Sequence, residues 1–246
     1  MTEKPELIRP TDDQARTLAR TLARGARFAA IAVIDPESGA PLSSRVLVAT
    51  DIDATPVILI SRLAQHTQAL LADPRCCLLL GEPQKGDPLA WPRLSLQGRA
   101  ERVESDSESH SCVRRRFLRR HPKAKLYADF PDFAFFRIMP EGASLNGGFG
   151  KAYKISAEDL IIRSNLTPIL LSHELQVIAN ICALGENVPN QLARHFFKGK
   201  TGDWEISGLD AEGMELAQNE SLIRIETEKR PEDLNGLIAV YSELLT

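Results

Sequence analysis

The sequence predicts an α+β chain in two parts: a small β-barrel with peripheral helices up to about residue 155, and a small α+β module over 156–246. Two observations predict it. Through residue 138, short apolar runs recur at close intervals between clusters of Asp, Pro, Ser and Gly, which favours an antiparallel meander. Beyond 155 the texture shifts to longer helical segments and three short strands closed by a last helix.

The elements follow in order. Thr11 to Ala26 reads as a helix: Thr11 and Gln14 have capping-box spacing, and Ala15, Leu18, Ala19, Leu22 and Ala26 form one apolar stripe. Phe28 to Ile34, Ser43 to Ala49 and Pro56 to Ser61 read as strands, separated by turns at 35–39 and 51–54. A short helix from Gln65 to Asp73 stops at Pro74, and Arg75 to Leu80 is the fourth strand. Residues 81–92 are rich in Pro and Gly and read as a loop. Arg93 to Val103 is the fifth strand, with Gly98 marking a bulge or close approach. Ser105 to Arg120 is a helix with acid early and arginine late, matching the helix dipole. Phe133 to Ile138 is the sixth strand. In the second part, Leu170 to Ala183, Pro189 to Phe197 and Pro231 to Leu245 read as helices, the last with Pro in its first turn. Trp204 to Leu209, Gly213 to Leu216 and Leu222 to Thr227 read as strands.

Composition narrows the function classes. With 43% hydrophobic and 26% charged residues the chain is an ordinary globular one, and its net charge of −3 gives no general pull toward nucleic acid or an anionic membrane. No apolar run approaches the twenty or so residues that span a bilayer. The N-terminus lacks the basic start and apolar core of a secretory signal, and Cys76, Cys77, Cys112 and Cys182 show no CxxC spacing. Buried, inert thiols are expected for Cys76 and Cys77, and a reduced cytoplasmic compartment for the chain. No metal site is expected, since His66, His110, His121, His173 and His195 include no pair spaced as a helical clasp.

Five groups of residues carry candidate chemistry. Leu145 to Ala152 holds Gly147, Gly148 and Gly150 around Phe149, with Lys151 following. Bare N–H groups, a ring and a cation would suit a flat anionic ligand; a plain turn is the alternative. Ser61, Arg62, His66 and Thr67 run from a strand end into a helix start, where free N–H groups favour an anion; capping is the alternative. Arg45 sits in an apolar strand and calls for a phosphate or a structural carboxylate, or else an outward face. Arg93 and Gln97 share a face of their strand, where Gln97 reaches a heterocycle or merely faces water. The run Arg114, Arg115, Arg116, Arg119 and Arg120 reads as a solvated helix face, with phosphates, haem propionates or RNA as alternatives.

Taken together, Ser44-Arg45-Val46, Ile60 to Thr67, Asp73-Pro74-Arg75, Arg93 to Gly98, His121-Pro122 and Gly147 to Ala152 resemble the pyridoxamine 5'-phosphate oxidase-like, FMN-binding split-barrel proteins. The nearest branch is the HugZ-type haem-utilisation proteins, which append a small α+β domain. The resemblance implies a split barrel, a homodimer, and FMN held between two barrels. Arg45, Val46 and the Ser61–Thr67 segment would hold phosphate and ribityl chain, with Arg93 and Gln97 near the ring; Phe149 and Lys151 join them as candidates. The His-Met-Asn-x-Asp-His segment typical of the haem branch is missing between Val177 and His195. Three functions follow: an FMN-dependent oxidoreductase acting on a small-molecule redox substrate, a haem-binding or haem-degrading protein, and a non-catalytic dimeric binding protein. No residue declares itself as acid, base or nucleophile.

Overall fold

A computed structural model describes residues 8–148, 150–197, 202–219, 221–227 and 229–245. The chain forms two compact units that interleave along the sequence. Unit 1 comprises Met1–Ala49, Thr55–Glu104 and Leu126–Ile161; unit 2 comprises Thr50–Ala54, Ser105–Lys125 and Ile162–Thr246.

Unit 1 is a closed antiparallel barrel of six strands. They are β1 (Phe28–Ile34), β2 (Pro41–Thr50), β3 (Pro56–Ser61), β4 (Arg75–Leu80), β5 (Arg93–Arg102) and β6 (Phe133–Asn146). The spatial order is β3-β2-β1-β4-β5-β6, and the β3–β6 pairing closes the ring; β7 (Ala152–Ser156) lies outside, on β6. Closure leaves these strands without a free edge. Alternation drives it: Ile31, Val33, Val46, Val48, Leu78, Leu80, Leu94 and Leu96 point inward into one apolar core. Adjacent Cys76 and Cys77 face opposite ways, and burial pushes the Cys76 thiol up to about 12, where it is inert.

Helix α1 (Asp13–Gly25) lays its alanine and leucine stripe on this core. Its cap is Asp12, which accepts from the Ala15 N–H at 2.8 Å, while Thr11 instead donates to the Lys154 carbonyl at 2.5 Å. Helix α2 (Gln65–Ala72) connects β3 to β4. In β5 the register shifts between Gln97 and Gly98, where a Cβ on Gly98 would stand 2.4 Å from the Met139 carbonyl oxygen. β6 runs eight residues past the predicted end at Ile138 and, with β7, forms a hairpin that the sequence reading did not contain.

Unit 2 holds the helix read as peripheral to the barrel, α3 (Glu108–Arg120), capped by Ser107. After the single turn α4 (Ala157–Leu160, in unit 1), α5 (Leu166–Cys182) begins four residues earlier than predicted, because Pro168 sits in its first turn, where a missing N–H costs nothing. α6 (Val188–Phe196) follows. Then come three antiparallel strands, β8 (Glu205–Asp210), β9 (Gly213–Gln218) and β10 (Ser221–Glu226), in the order β10-β9-β8. α7 (Leu234–Leu244) starts after Pro231, not on it; Asp233 caps it through the Gly236 N–H at 2.7 Å. Ile178, Ile181, Leu192, Trp204, Leu209, Met214, Leu216 and Tyr241 belong to this unit's core.

Candidate functional site

The barrel presents a broad outer wall whose side chains follow from the strand register. Arg45, Ala30, Leu79, Ser95, Ser144 and Lys154 line up in one row across β2, β1, β4, β5, β6 and β7; Ser43, Ala32, Cys77, Gln97, Gly142 and Ser156 make the next. Most are small, so the wall is flat. Arg45, exposed at one side, lays its guanidinium 5.4 Å from the Phe28 ring centroid. Of the alternatives for Arg45, the structure therefore shows the outward face, not burial in an apolar strand. Gln97 is exposed three strands away, roughly 15 Å from Arg45 by strand spacing. Arg93 lies on the same face as Gln97, half-buried, its Nη1 3.4 Å from the Leu89 carbonyl. Val46 points the other way, into the core, so only its backbone reaches the outside.

A second group of candidates sits where β3 enters α2. Ser61 is already spent: its hydroxyl donates to Asp132 Oδ2 at 2.6 Å and accepts from the Leu63 N–H at 3.1 Å. Arg62 is exposed, and its N–H donates to the Asp132 carbonyl at 2.6 Å. The helix that follows has Ala64 at its cap position and no side-chain cap, so the N-terminal N–H groups keep their pull on an anion. Beside them two buried polar atoms have no partner, Thr67 Oγ1 and His66 Nε2. Thr67 is 2% exposed. It lines a cavity of about 50 Å³ together with Ile60, Arg62, Leu71, Arg102 and Asp132. Burial lowers the His66 pKa, favouring the neutral imidazole.

Three backbone donors of the glycine turn are engaged within it. The Gly147 N–H donates to the Lys151 carbonyl at 2.7 Å, Gly148 N–H to Asn146 Oδ1 at 3.0 Å, and Lys151 N–H to the Gly148 carbonyl at 3.2 Å. These bonds close the β6–β7 hairpin, so the plain-turn alternative describes them. Lys151 is exposed; Phe149 lies outside the described residues. The turn stands at the far end of 14-residue β6 from Phe133, which faces Ser61. The wall residues Arg45, Arg93 and Gln97 thus share a face, while within one chain Lys151 and the Ser61–Thr67 turn lie at opposite ends of β6.

The arginine run of α3 is not a solvated face. Arg116 pairs with Glu174 Oε1, and its Nε donates to the Thr50 carbonyl at 2.9 Å. Arg120 pairs with Glu215 at 2.5 Å, Arg115 with Glu174 at 2.7 Å, and Arg224 with Asp210 at 2.7 Å. Arg116, Arg120, Glu174, Glu215 and Asp210 are all buried. Their partners lie so far along the chain that nothing near α3 signals them. His173 is exposed, its Nδ1 3.0 Å from the Ile169 carbonyl, and exposed His195 rests against Phe196 with ring centroids 4.9 Å apart. Among the described residues, no cluster of three or more His, Cys, Asp or Glu side chains is placed to hold a metal ion.

A closed six-stranded antiparallel barrel with a strand outside it, in a chain that also holds a small α+β unit, is the split-barrel architecture that the motifs imply. Residues 10–161 match the family described as CREG, β-barrel, and the chain belongs to that family. The chain is 33% identical over 160 residues to the chloroplastic heme oxygenase HOZ of Arabidopsis thaliana, across 62% of this chain and 48% of that protein. The chain thus spans about half the length of this relative. Among solved structures, the Agrobacterium tumefaciens protein Atu2129, of unknown function, superposes with a TM-score of 0.82 at 30% identity, over 98% of this chain and all of that one. A heme binding protein from Mycobacterium smegmatis superposes with a TM-score of 0.56 at 26% identity, over 97% of each chain.

Proposed function

We propose that this protein binds haem and takes part in haem breakdown. The observation that carries this reading is the 33% identity, over 160 residues, to a protein named a heme oxygenase. The likeness over nearly the whole chain to a heme binding protein supports it. The outer wall suits the ligand: small side chains accommodate a planar macrocycle, and Arg45 and Arg93 at its margins offer guanidinium donors for propionate carboxylates. A second copy of the chain laid against this wall would enclose such a ligand. Bound haem would supply iron able to activate oxygen, and the protein's part would be to hold and orient it. No iron ligand is assigned.

FMN is the second reading, and one observation favours it. The uncapped start of α2, the unpartnered Thr67 hydroxyl and the guanidinium groups of Arg62 and Arg102 together suit a phosphate. On this reading the chain is a flavin-dependent oxidoreductase.

One spectrum tests both. Purified protein is measured alone and after separate additions of haem and FMN. A Soret band that shifts and saturates near one haem per chain is the expected result. An unshifted Soret band overturns the haem reading, and a flavin band perturbed at micromolar FMN would then establish the second.

A further inference from the structure

Away from the α2 turn, loop 81–92 folds back toward α1 and leaves a cleft of about 510 Å³. Leu18 and Leu22 of α1, Phe28 at the start of β1, and Pro83, Trp91 and Pro92 of the loop give it an apolar, aromatic lining. Gly81 makes the cleft possible. It has φ +102, and a Cβ there would stand 2.6 Å from the Pro92 carbonyl oxygen, so the two ends of the loop approach this closely only around glycine. The volume lies within the usual range of small-molecule sites.

The polar groups define what fits. The Thr21 hydroxyl donates to the Thr17 carbonyl at 2.9 Å and is spent. Glu82 is the single formally charged residue of the lining; it is exposed, with no ion-pair partner among the described residues. An indole face attracts cations more strongly than any other side-chain ring. One lining ring already stacks with a planar cation: the guanidinium of Arg45, itself outside the lining, lies 5.4 Å from the Phe28 ring centroid. We propose that this cleft binds a planar aromatic cation, stacked on Trp91 with its charge toward Glu82. The proposal goes beyond the haem reading and does not rest on it.

The test titrates the full chain with proflavine, a planar aromatic cation, following the dye's anisotropy and tryptophan quenching. Anilinonaphthalene sulfonate, an anion of similar size, serves as the contrast. Gly25 supplies the decisive variant. It lines the cleft, its φ is not left-handed, and an added Cβ meets nothing within 4 Å, so Gly25→Leu places a side chain in the cleft with no clash at its Cβ. Saturable proflavine binding is expected, weakened at least tenfold in Gly25→Leu and about threefold in Glu82→Gln, with the anion binding more weakly. Non-saturable binding, binding unchanged in both variants, or equal affinity for the anion would each overturn the proposal. If Gly25→Leu fails to fold by circular dichroism, Glu82→Gln and the anion contrast decide it.

Discussion

Arg116 occupies space that only glycine leaves open. A Cβ on Gly208 would stand 2.9 Å from Arg116 Nη2 and 3.0 Å from its Cζ, so the guanidinium rests on the bare backbone of β8. There it meets Glu174 and the carbonyls of Thr50 and Leu209. Glu174 also accepts from Arg115 and from the Leu209 N–H. Removing one side of such a buried pair leaves an uncompensated charge, at a cost of about 3–5 kcal/mol. Glu174→Gln is therefore expected to lower the urea midpoint sharply, and Gly208→Ala to lower it as well, by destabilising the fold by about 1–3 kcal/mol through overpacking. If either variant unfolds at the wild-type midpoint, the pair holds nothing together. None of this was legible in the sequence. Five arginines within seven positions look like a wet surface, and only the fold brings Glu174, Glu215 and Asp210 to them.

At the scale of elements, β5 shows what local pattern conveys and what it omits. Gly98 inside an otherwise regular strand signals a bulge, and the bulge is there, with its backbone against Met139. Here the neighbour is a carbonyl, which cannot swing aside as a side chain can. Gly98→Ala is expected to destabilise the barrel by about 1–3 kcal/mol, read as a lower thermal midpoint of the Phe28–Ser156 fold. An unchanged midpoint would show that β6 yields. Strand alternation and proline punctuation located β1, β3 and β4 at their observed bounds. The same rules lost the second half of β6, ending it at Ile138 ahead of Pro140 and Gly142, though both lie in the strand on either side of the bulge. Tertiary pairing with β5 and β7 overrides those local preferences there. Of the candidate residues, the shared face of Arg93 and Gln97 was legible from strand alternation, and the outward face of Arg45 was one of its open alternatives. Which hydroxyls were already engaged was not, since Ser61 looks as free as Thr67 until Asp132 arrives from 71 residues away.

Across the whole molecule, the two units differ in how they hold their charge, and pH separates them. Unit 1 keeps an aliphatic core, and its most strongly shifted carboxyl, Asp73, held down to about 2 by Arg75, is exposed and weakly worth having. Unit 2 buries Glu215. Burial alone would raise its pKa, but Arg120, Arg116 and Arg224 outweigh that and hold the carboxyl below its ordinary value of 4.5. A carboxyl depressed in the folded state stabilises at any pH above its unfolded value, and that contribution disappears as pH falls through the folded value. Unit 2 is thus expected to keep its stability from pH 7 to about 5 and to lose it steeply below the ordinary carboxyl value of 4.5. Trp204, buried in the core of unit 2, reports this directly once Trp91→Phe removes the other tryptophan. Urea midpoints followed by Trp204 should fall between pH 5 and 3. Glu215→Gln should sit lower at pH 7 and lose much of that dependence, because the amide leaves the same arginines unpaired at every pH. A Trp204 midpoint that holds level to pH 3 would mean that the buried carboxylates take up no proton before the unit unfolds, and that its stability rests on the apolar core of Leu209, Met214, Leu216 and Tyr241 instead.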